Sequence, residues 1–222
     1  MKTKAVNIGG NWIHDNGDLP KRVEKDVYLT PAKEAEQAYE FLLQAVPALN
    51  NPNLFPFHIL DVGSGGGIWG KVARSLWHQA TITGTEIRDI PKPCGYDHWE
   101  VGDFLKYDTC HTRYDLVVGN PPYYADSDCV KHAMQLLKPG GHLLFLLKLT
   151  FITGQKRLET IYQQYGLQAF GVYTHRIRWY SLNGDLGGSP PRDHGLFLWQ
   201  KGSKERCKVY LIGDEEKGII EL

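Results

Sequence analysis

"ILDVGSGGGIWGKVARSL", residues 59–76, is a strand, a glycine-rich turn and a helix in immediate succession. Glycines at 63, 65, 66 and 67 let the backbone turn tightly and come close to a ligand, and the helix that follows presents unpaired backbone amides at its start. Such a turn belongs to the ligand-binding end of an α/β sheet. The segment from Gly65 to Gly70 also fits G-x-G-x-x-G, a pattern shared with dinucleotide-binding turns and weak by itself.

Outward from this turn, short apolar runs alternate with helical or loop stretches: "HILDVG" (58–63), "TITGTEI" (81–87), "WEVGDF" (99–104), "YDLVVGN" (114–120) and "GHLLFLLKL" (141–149). Each is nearly continuous in apolar residues, as in strands buried on both faces, and their alternation with helices predicts a parallel sheet with helices on both sides. Ahead of them, "LTPAKEAEQAYEFLLQAV" (29–46) predicts a helix with Thr30 as N-cap and Pro31 at the first helical position. Its residues Ala35, Ala38, Phe41, Leu42 and Val46 share one face. After Thr150 come a helix over about 154–165, the run "LQAFGVYTH" (167–175), the basic-aromatic "HRIRWYSL" (175–182), a loop "NGDLGGSPPRDHG" (183–195) and "LFLWQ" (196–200). The two late strands are expected to form an antiparallel pair at one end of the sheet. Residues 1–27 read as a polar arm, 28–212 as one domain and 213–222 as a tail.

The 222 residues, 42% hydrophobic and 23% charged, suit one α/β domain. No apolar run approaches the roughly 20 residues of a membrane helix, and "MKTKAVNIGGNWIHD" lacks the apolar core of a signal peptide, so no membrane association and a cytoplasmic location are expected. Cys94, Cys110, Cys129 and Cys207 show no C-x-x-C spacing, and the histidines, His175 and His194 among them, show no ligand spacing; no metal is expected. Formal charge is zero. From Lys148 to Lys208, however, ten Lys or Arg face four Asp or Glu, the distribution of a one-sided nucleic-acid footprint.

Ligands of such sheets bind at the carboxyl ends of the strands. Three carboxylates fall there. Asp61 closes the first run, Glu86 lies about twenty residues beyond the glycines where it can accept both hydroxyls of a ribose, and Asp103 precedes Phe104, a carboxylate for an amino group beside an apolar surface for a purine. At the end of a fourth run stands "NPPYY" (120–124). Two prolines remove two backbone donors and forbid a helix start, so the strand stops in a stiff loop. Asn120 can accept one N–H of a planar amine through its side-chain oxygen, the carbonyl of Pro121 can accept the other, Pro122 stiffens the pair and Tyr123 offers a ring on which a base stacks. Tyr124 reads as packing.

On these residues the chain resembles the class I S-adenosylmethionine-dependent methyltransferases, and more narrowly the adenine-amino methyltransferases, with a similarity to small phage and prophage DNA enzymes. "DVGSGGG" resembles the cofactor motif, "NPPY" the catalytic motif, and "YLTP" (28–31) the segment that touches the cofactor from the N-terminal side; the match spans about residues 26–200. The resemblance implies a Rossmann-like three-layer sandwich on a mostly parallel seven-stranded sheet with an antiparallel strand near one edge. It implies S-adenosylmethionine bound by Tyr28, Thr30, Pro31, Asp61, Gly63, Gly65, Gly67, Ile68, Glu86, Ile87, Asp103, Phe104 and Asn120, and catalysis by Asn120, Pro121, Pro122 and Tyr123. Asn rather than Asp at the head of the catalytic motif is shared with RNA adenine and glutamine-amide enzymes, and a separate target-recognition domain is missing.

The reading that follows is methyl transfer to adenine in DNA, with the oligomeric state left open and a monomer favoured. Lys148, Arg176, Arg178, Trp179 and Arg192 are the expected nucleic-acid contacts, and Trp179 or Tyr180 the opposite wall of the base pocket. Arg176 and Arg178 alternate with Ile177 and Trp179, so on a strand they share a face. The same reaction on RNA, or on a glutamine amide, are the near alternatives. A dinucleotide-dependent oxidoreductase leaves "NPPY" unexplained, and a binding module without turnover does not need it.

Overall fold

The structure, a computed structural model, describes residues 5–8, 11–14, 29–108, 113–180, 192–203, 206–214 and 217–222. Tyr28 and residues 183–191 of the expected loop lie outside them. Within the expected arm, β1 (Ala5–Ile8) and β2 (Asn11–His14) pair as an antiparallel hairpin.

Among the described residues the domain is built on nine strands: β3 (His58–Val62), β4 (Thr81–Glu86), β5 (His98–Val101), β6 (Tyr114–Gly119), β7 (Leu137–Lys148), β8 (Ala169–Tyr173), β9 (His194–Gln200), β10 (Lys208–Ile212) and β11 (Ile219–Glu221). Across the sheet they run β11-β10-β8-β9-β7-β6-β3-β4-β5. The pairs from β5 to β7 are parallel, and β9 runs antiparallel to both β7 and β8. The seven expected strands are thus present, but they are not the whole sheet. β10 adds parallel to β8, and β11, from the stretch expected to be a tail, adds antiparallel to β10. The late antiparallel pair β8–β9 therefore lies inside the sheet. The two extra strands escaped the sequence because "KVYLI" and "IIE" are short and carry charges that face solvent at the edge.

The central strands are largely apolar because both their faces are covered, whereas β5, expected to be buried on both faces, is mostly exposed at the edge of the sheet. Ile59, Ile82, Leu116, Val118, Leu144 and Leu146 pack on α1 (Ala32–Ala45) and α2 (Ile68–Leu76). Leu60, Val62, Val117, Leu143, Phe145 and Leu147 point the other way, onto α3 (Asp126–Leu136) and Phe151 and Ile161 of the following segment. Successive side chains alternate between the two cores, giving three layers.

Three local expectations change. Pro31, not Thr30, is the N-cap of α1, so the Thr30 hydroxyl is left for other partners. The helix expected over 154–165 carries a π turn at Leu158–Tyr162. "HRIRWY" forms no strand beyond the single bridge of Tyr180 with Leu29, yet the inferred alternation holds: Arg176 and Arg178 are exposed while Ile177 and Trp179 are buried.

Candidate active site

The order β4-β3-β6-β7 places a switch point between β3 and β6, where the crossovers depart to opposite sides and a crevice opens at the strand ends. Gly119 and Val62 are partners at that edge. A Cβ on Gly119, whose φ is 149°, would lie 2.5 Å from the Val62 carbonyl oxygen, so only glycine lets the two strands close up before Asn120.

Two cavities meet there, sharing Gly63, Gly65 and Asn120. One is bordered by Glu86, Ile87, Asp103, Phe104, the two prolines 121 and 122, Tyr123 and Tyr124. The other is bordered by Leu29, Thr30, Pro31, Ile68, Trp69 and Tyr180. The structure thus brings together most of the residues singled out in the sequence. Asn120 donates from Nδ2 to the Thr30 hydroxyl at 3.5 Å, and Trp69 donates to the same hydroxyl at 3.3 Å. The Asn120 Oδ1 is buried and has no hydrogen-bond partner among the described residues. Backbone bonds of 3.1 and 3.4 Å between Leu29 and Tyr180 tie the segment before α1 to the end of the basic-aromatic stretch.

Glu86 is 5% exposed and its carboxylate is fully engaged. It accepts from the Gly65 amide at 2.9 Å and from Arg88 three times: backbone N at 3.1 Å, Nε at 2.8 Å and Nη2 at 3.1 Å. Burial pushes the Glu86 carboxyl up, but the Arg88 bonds and charge, with the Gly65 amide, outweigh it and hold the group below the ordinary value. Asp103 caps the 3-10 turn Phe104–Lys106 by accepting from the Leu105 amide at 3.0 Å, and Phe104 turns inward onto the core of α3.

Asp61 is placed differently from its two companions. It is 0% exposed, borders neither cavity, and accepts a 2.5 Å bond from the Tyr96 hydroxyl, which in turn accepts from the Gly70 amide at 3.1 Å. Burial, offset in part by the Tyr96 bond, raises its carboxyl to about 7. Asp61 braces the glycine turn from below because the alternation of β3 aims it inward. Gly67 likewise borders neither cavity; its φ of 83° and the closeness of Pro93 make it a conformational requirement of the turn.

Among the expected nucleic-acid contacts, Arg176, Arg178 and Arg192 are exposed, and Arg176 lies 3.6 Å from Asp193. Trp179 is corrected: at 1% exposure it is a core residue, packed edge-on against His194, and the ring at the cavity wall is Tyr180. Lys148 sits over the ring of Tyr123, 4.3 Å from its centroid. Tyr124, expected to pack, is 66% exposed at the mouth of the first cavity. Arg88 and Tyr96 were missed. A basic residue two places after a strand-end carboxylate was the available signal for Arg88; none pointed to Tyr96.

No family model matches the chain. It is 25% identical over 130 residues to the type II methyltransferase M.CvrRI of Paramecium bursaria Chlorella virus XZ-6E, a match covering 57% of this chain and 32% of that protein. Among solved structures, a protein described as a class I S-adenosylmethionine-dependent methyltransferase from Listeria monocytogenes superposes with a TM-score of 0.59. It is 16% identical, and the match covers 83% of this chain and 65% of that one. The M protein of the type I restriction enzyme EcoKI gives a TM-score of 0.58 at 12% identity, over 84% of this chain and 48% of that one. The chain thus spans about a third of the length of its curated relative. It has the fold of the class I S-adenosylmethionine-dependent methyltransferases and, over 130 residues, is similar in sequence to a type II methyltransferase.

Proposed function

We propose that the protein transfers a methyl group from S-adenosylmethionine to the exocyclic amino nitrogen of adenine in DNA. The observation that carries the reading is Asn120. It stands where the two cavities meet, at the head of a proline-stiffened loop, with its buried Oδ1 lacking a donor among the described residues. An unsatisfied buried carbonyl costs free energy, and in this reading a substrate N–H brought to Asn120 would remove the cost.

The residues present fit the cofactor. Glu86, Ile87, Asp103 and Phe104 border one cavity and Thr30, Pro31, Gly65 and Ile68 the other; in this reading Glu86 and Ile87 would hold the ribose, Asp103 and Phe104 the adenine, and the second group the methionine part. Bound there, S-adenosylmethionine supplies an electrophilic methyl group on a sulfonium. The chain's own work is to hold the acceptor. Asn120 Oδ1 and the Pro121 carbonyl each accept one N–H of the amine, draw the nitrogen toward a tetrahedral shape and aim its lone pair. The prolines fix the Pro121 carbonyl and the Thr30 contact holds the Asn120 amide, so the acceptors are aligned in advance, and a displacement of about 1 Å would cost on the order of 100-fold in rate. The amine gives its proton to solvent without a strong base. An adenine inside a duplex is out of reach, so it is extruded or taken from a single strand.

The sequence similarity to a type II methyltransferase and the exposed arginines 176, 178 and 192 support a DNA partner. The test is to incubate the protein with methyl-labelled S-adenosylmethionine and, in separate reactions, duplex DNA, single-stranded DNA, total RNA and a protein extract. Label on DNA adenine is expected. Label confined to RNA or to glutamine would keep the chemistry of Asn120 and replace the substrate.

A further inference from the structure

We infer that Lys148 and His194 are positioning residues for Tyr123, holding its ring in one orientation as the platform for the acceptor base; this deepens, and rests on, the acceptor role proposed for residues 120–123. Tyr123 follows two prolines, which fix the backbone of Pro121 and Pro122 but not the side chain of their neighbour. A ring that must meet a base at stacking distance needs lateral support, and the sheet provides it. Lys148 ends β7 and His194 begins β9, and the two are direct partners in the antiparallel ladder, so their side chains emerge together on one face.

Both reach Tyr123. The Lys148 ammonium lies 4.3 Å from the ring centroid, within cation–π range, and His194 Nε2 is 3.1 Å from the phenolic oxygen, with the two rings 5.6 Å apart and 40° from coplanar. His194 is itself held. It is 2% exposed and lies edge-on to the buried Trp179, 5.0 Å between centroids at 70°, so the imidazole cannot turn away without disturbing the core. Burial, then the nearby Lys148 charge, lowers His194 to about 4, which keeps the imidazole neutral at neutral pH. It therefore meets the phenol as an uncharged hydrogen-bond partner, and the positive charge at this corner is Lys148. With Lys148 against one face of Tyr123, a base stacks on the other, and the cation behind the ring draws π density away from the face that meets an electron-rich purine. In this arrangement Lys148 acts through Tyr123 and not through a phosphate.

Two roles for Lys148 predict different results. The test uses the full chain and the DNA that accepts methyl groups, comparing wild type, Lys148→Met, Tyr123→Ala and the double variant. The readouts are KM for DNA, KM for S-adenosylmethionine, and the salt dependence of DNA affinity in the presence of S-adenosylhomocysteine. Lys148→Met is expected to lower kcat/KM for DNA about 5-fold, as loss of a partly exposed cation–π contact would. It should leave KM for the cofactor and the salt slope unchanged, and weaken DNA no further once Tyr123→Ala is present. His194→Gln, which retains an amide donor for the phenol, should keep more activity than His194→Ala. A salt slope reduced by about one charge, with the same loss of affinity whether or not Tyr123 is replaced, would make Lys148 a phosphate contact and overturn the inference. A wild-type chain that labels no nucleic-acid base is a separate result, removing the acceptor reading and this inference together.

Discussion

Asn120 is the residue on which the account turns, and its place at a cavity was legible because two prolines after an apolar run mark a stiff loop at a strand end. Its surroundings were not. That its oxygen would lack a donor depends on Thr30 approaching from the segment before α1 and taking the amide side, a contact across 90 positions that no local pattern encodes. Asn120→Ala is expected to lower kcat at least about 100-fold while leaving cofactor affinity within a few-fold, because it removes one acceptor and no cofactor contact of comparable strength. Cofactor titration by calorimetry beside a turnover assay checks both halves. A second expectation concerns Arg88. It supplies three of the four hydrogen bonds that fill the Glu86 carboxylate, so ribose hydroxyls can bind only by displacing its side chain. Arg88→Ala should therefore tighten binding of S-adenosylmethionine, and Glu86→Ala should weaken it; an Arg88→Ala protein that binds more weakly would show that the guanidinium helps to hold the ligand.

At the scale of elements, the strand–turn–helix unit was readable from its glycines, and the buried strands from their continuous apolar runs. Elements at the margins were not: β10 and β11 are short and flanked by charge, and the π turn at Leu158–Tyr162 leaves no distinct period in a helical pattern. Asp61 shows the limit most clearly. A carboxylate at a strand end reads as a ligand, and only the inward direction of its side chain, toward Tyr96, makes it a brace for the turn. This assignment has a consequence for stability. A buried carboxyl raised from 3.8 to about 7 binds more protons in the folded than in the unfolded chain between those limits. The Asp61 contribution to stability is then greatest below about pH 4, falls as pH rises to about 7, and is level above that, a loss on the order of a few kcal/mol. Asp61→Asn stays neutral and keeps the shape, so it should melt higher than wild type at pH 8, with the gap closing toward pH 4. Thermal melts across that range decide it; a variant less stable at pH 8 would mean that the charged form is the one the turn requires.

On the scale of the whole molecule, a formally neutral chain carries a surplus of basic over acidic residues between Lys148 and Lys208, and Arg176, Arg178 and Arg192 of that stretch are exposed. The uneven charge was legible, but which aromatic would accompany it was not, since Trp179 turned inward and Tyr180 outward on an irregular segment. Replacing Arg176 and Arg178 together should weaken DNA binding about equally for all sequences and lower the salt slope by about two charges. An unchanged affinity would make them a solvated edge. No helix among the described residues is long and apolar enough to cross a membrane.

The most direct measurement is nucleoside mass spectrometry of duplex and single-stranded DNA recovered after incubation with deuteromethyl S-adenosylmethionine, with wild type and Asn120→Ala run side by side. The account predicts N6-methyldeoxyadenosine carrying the heavy methyl group from the wild type and none from the variant. Deuteromethyl adenine formed equally by both, or a heavy methyl group found only outside DNA, would contradict it.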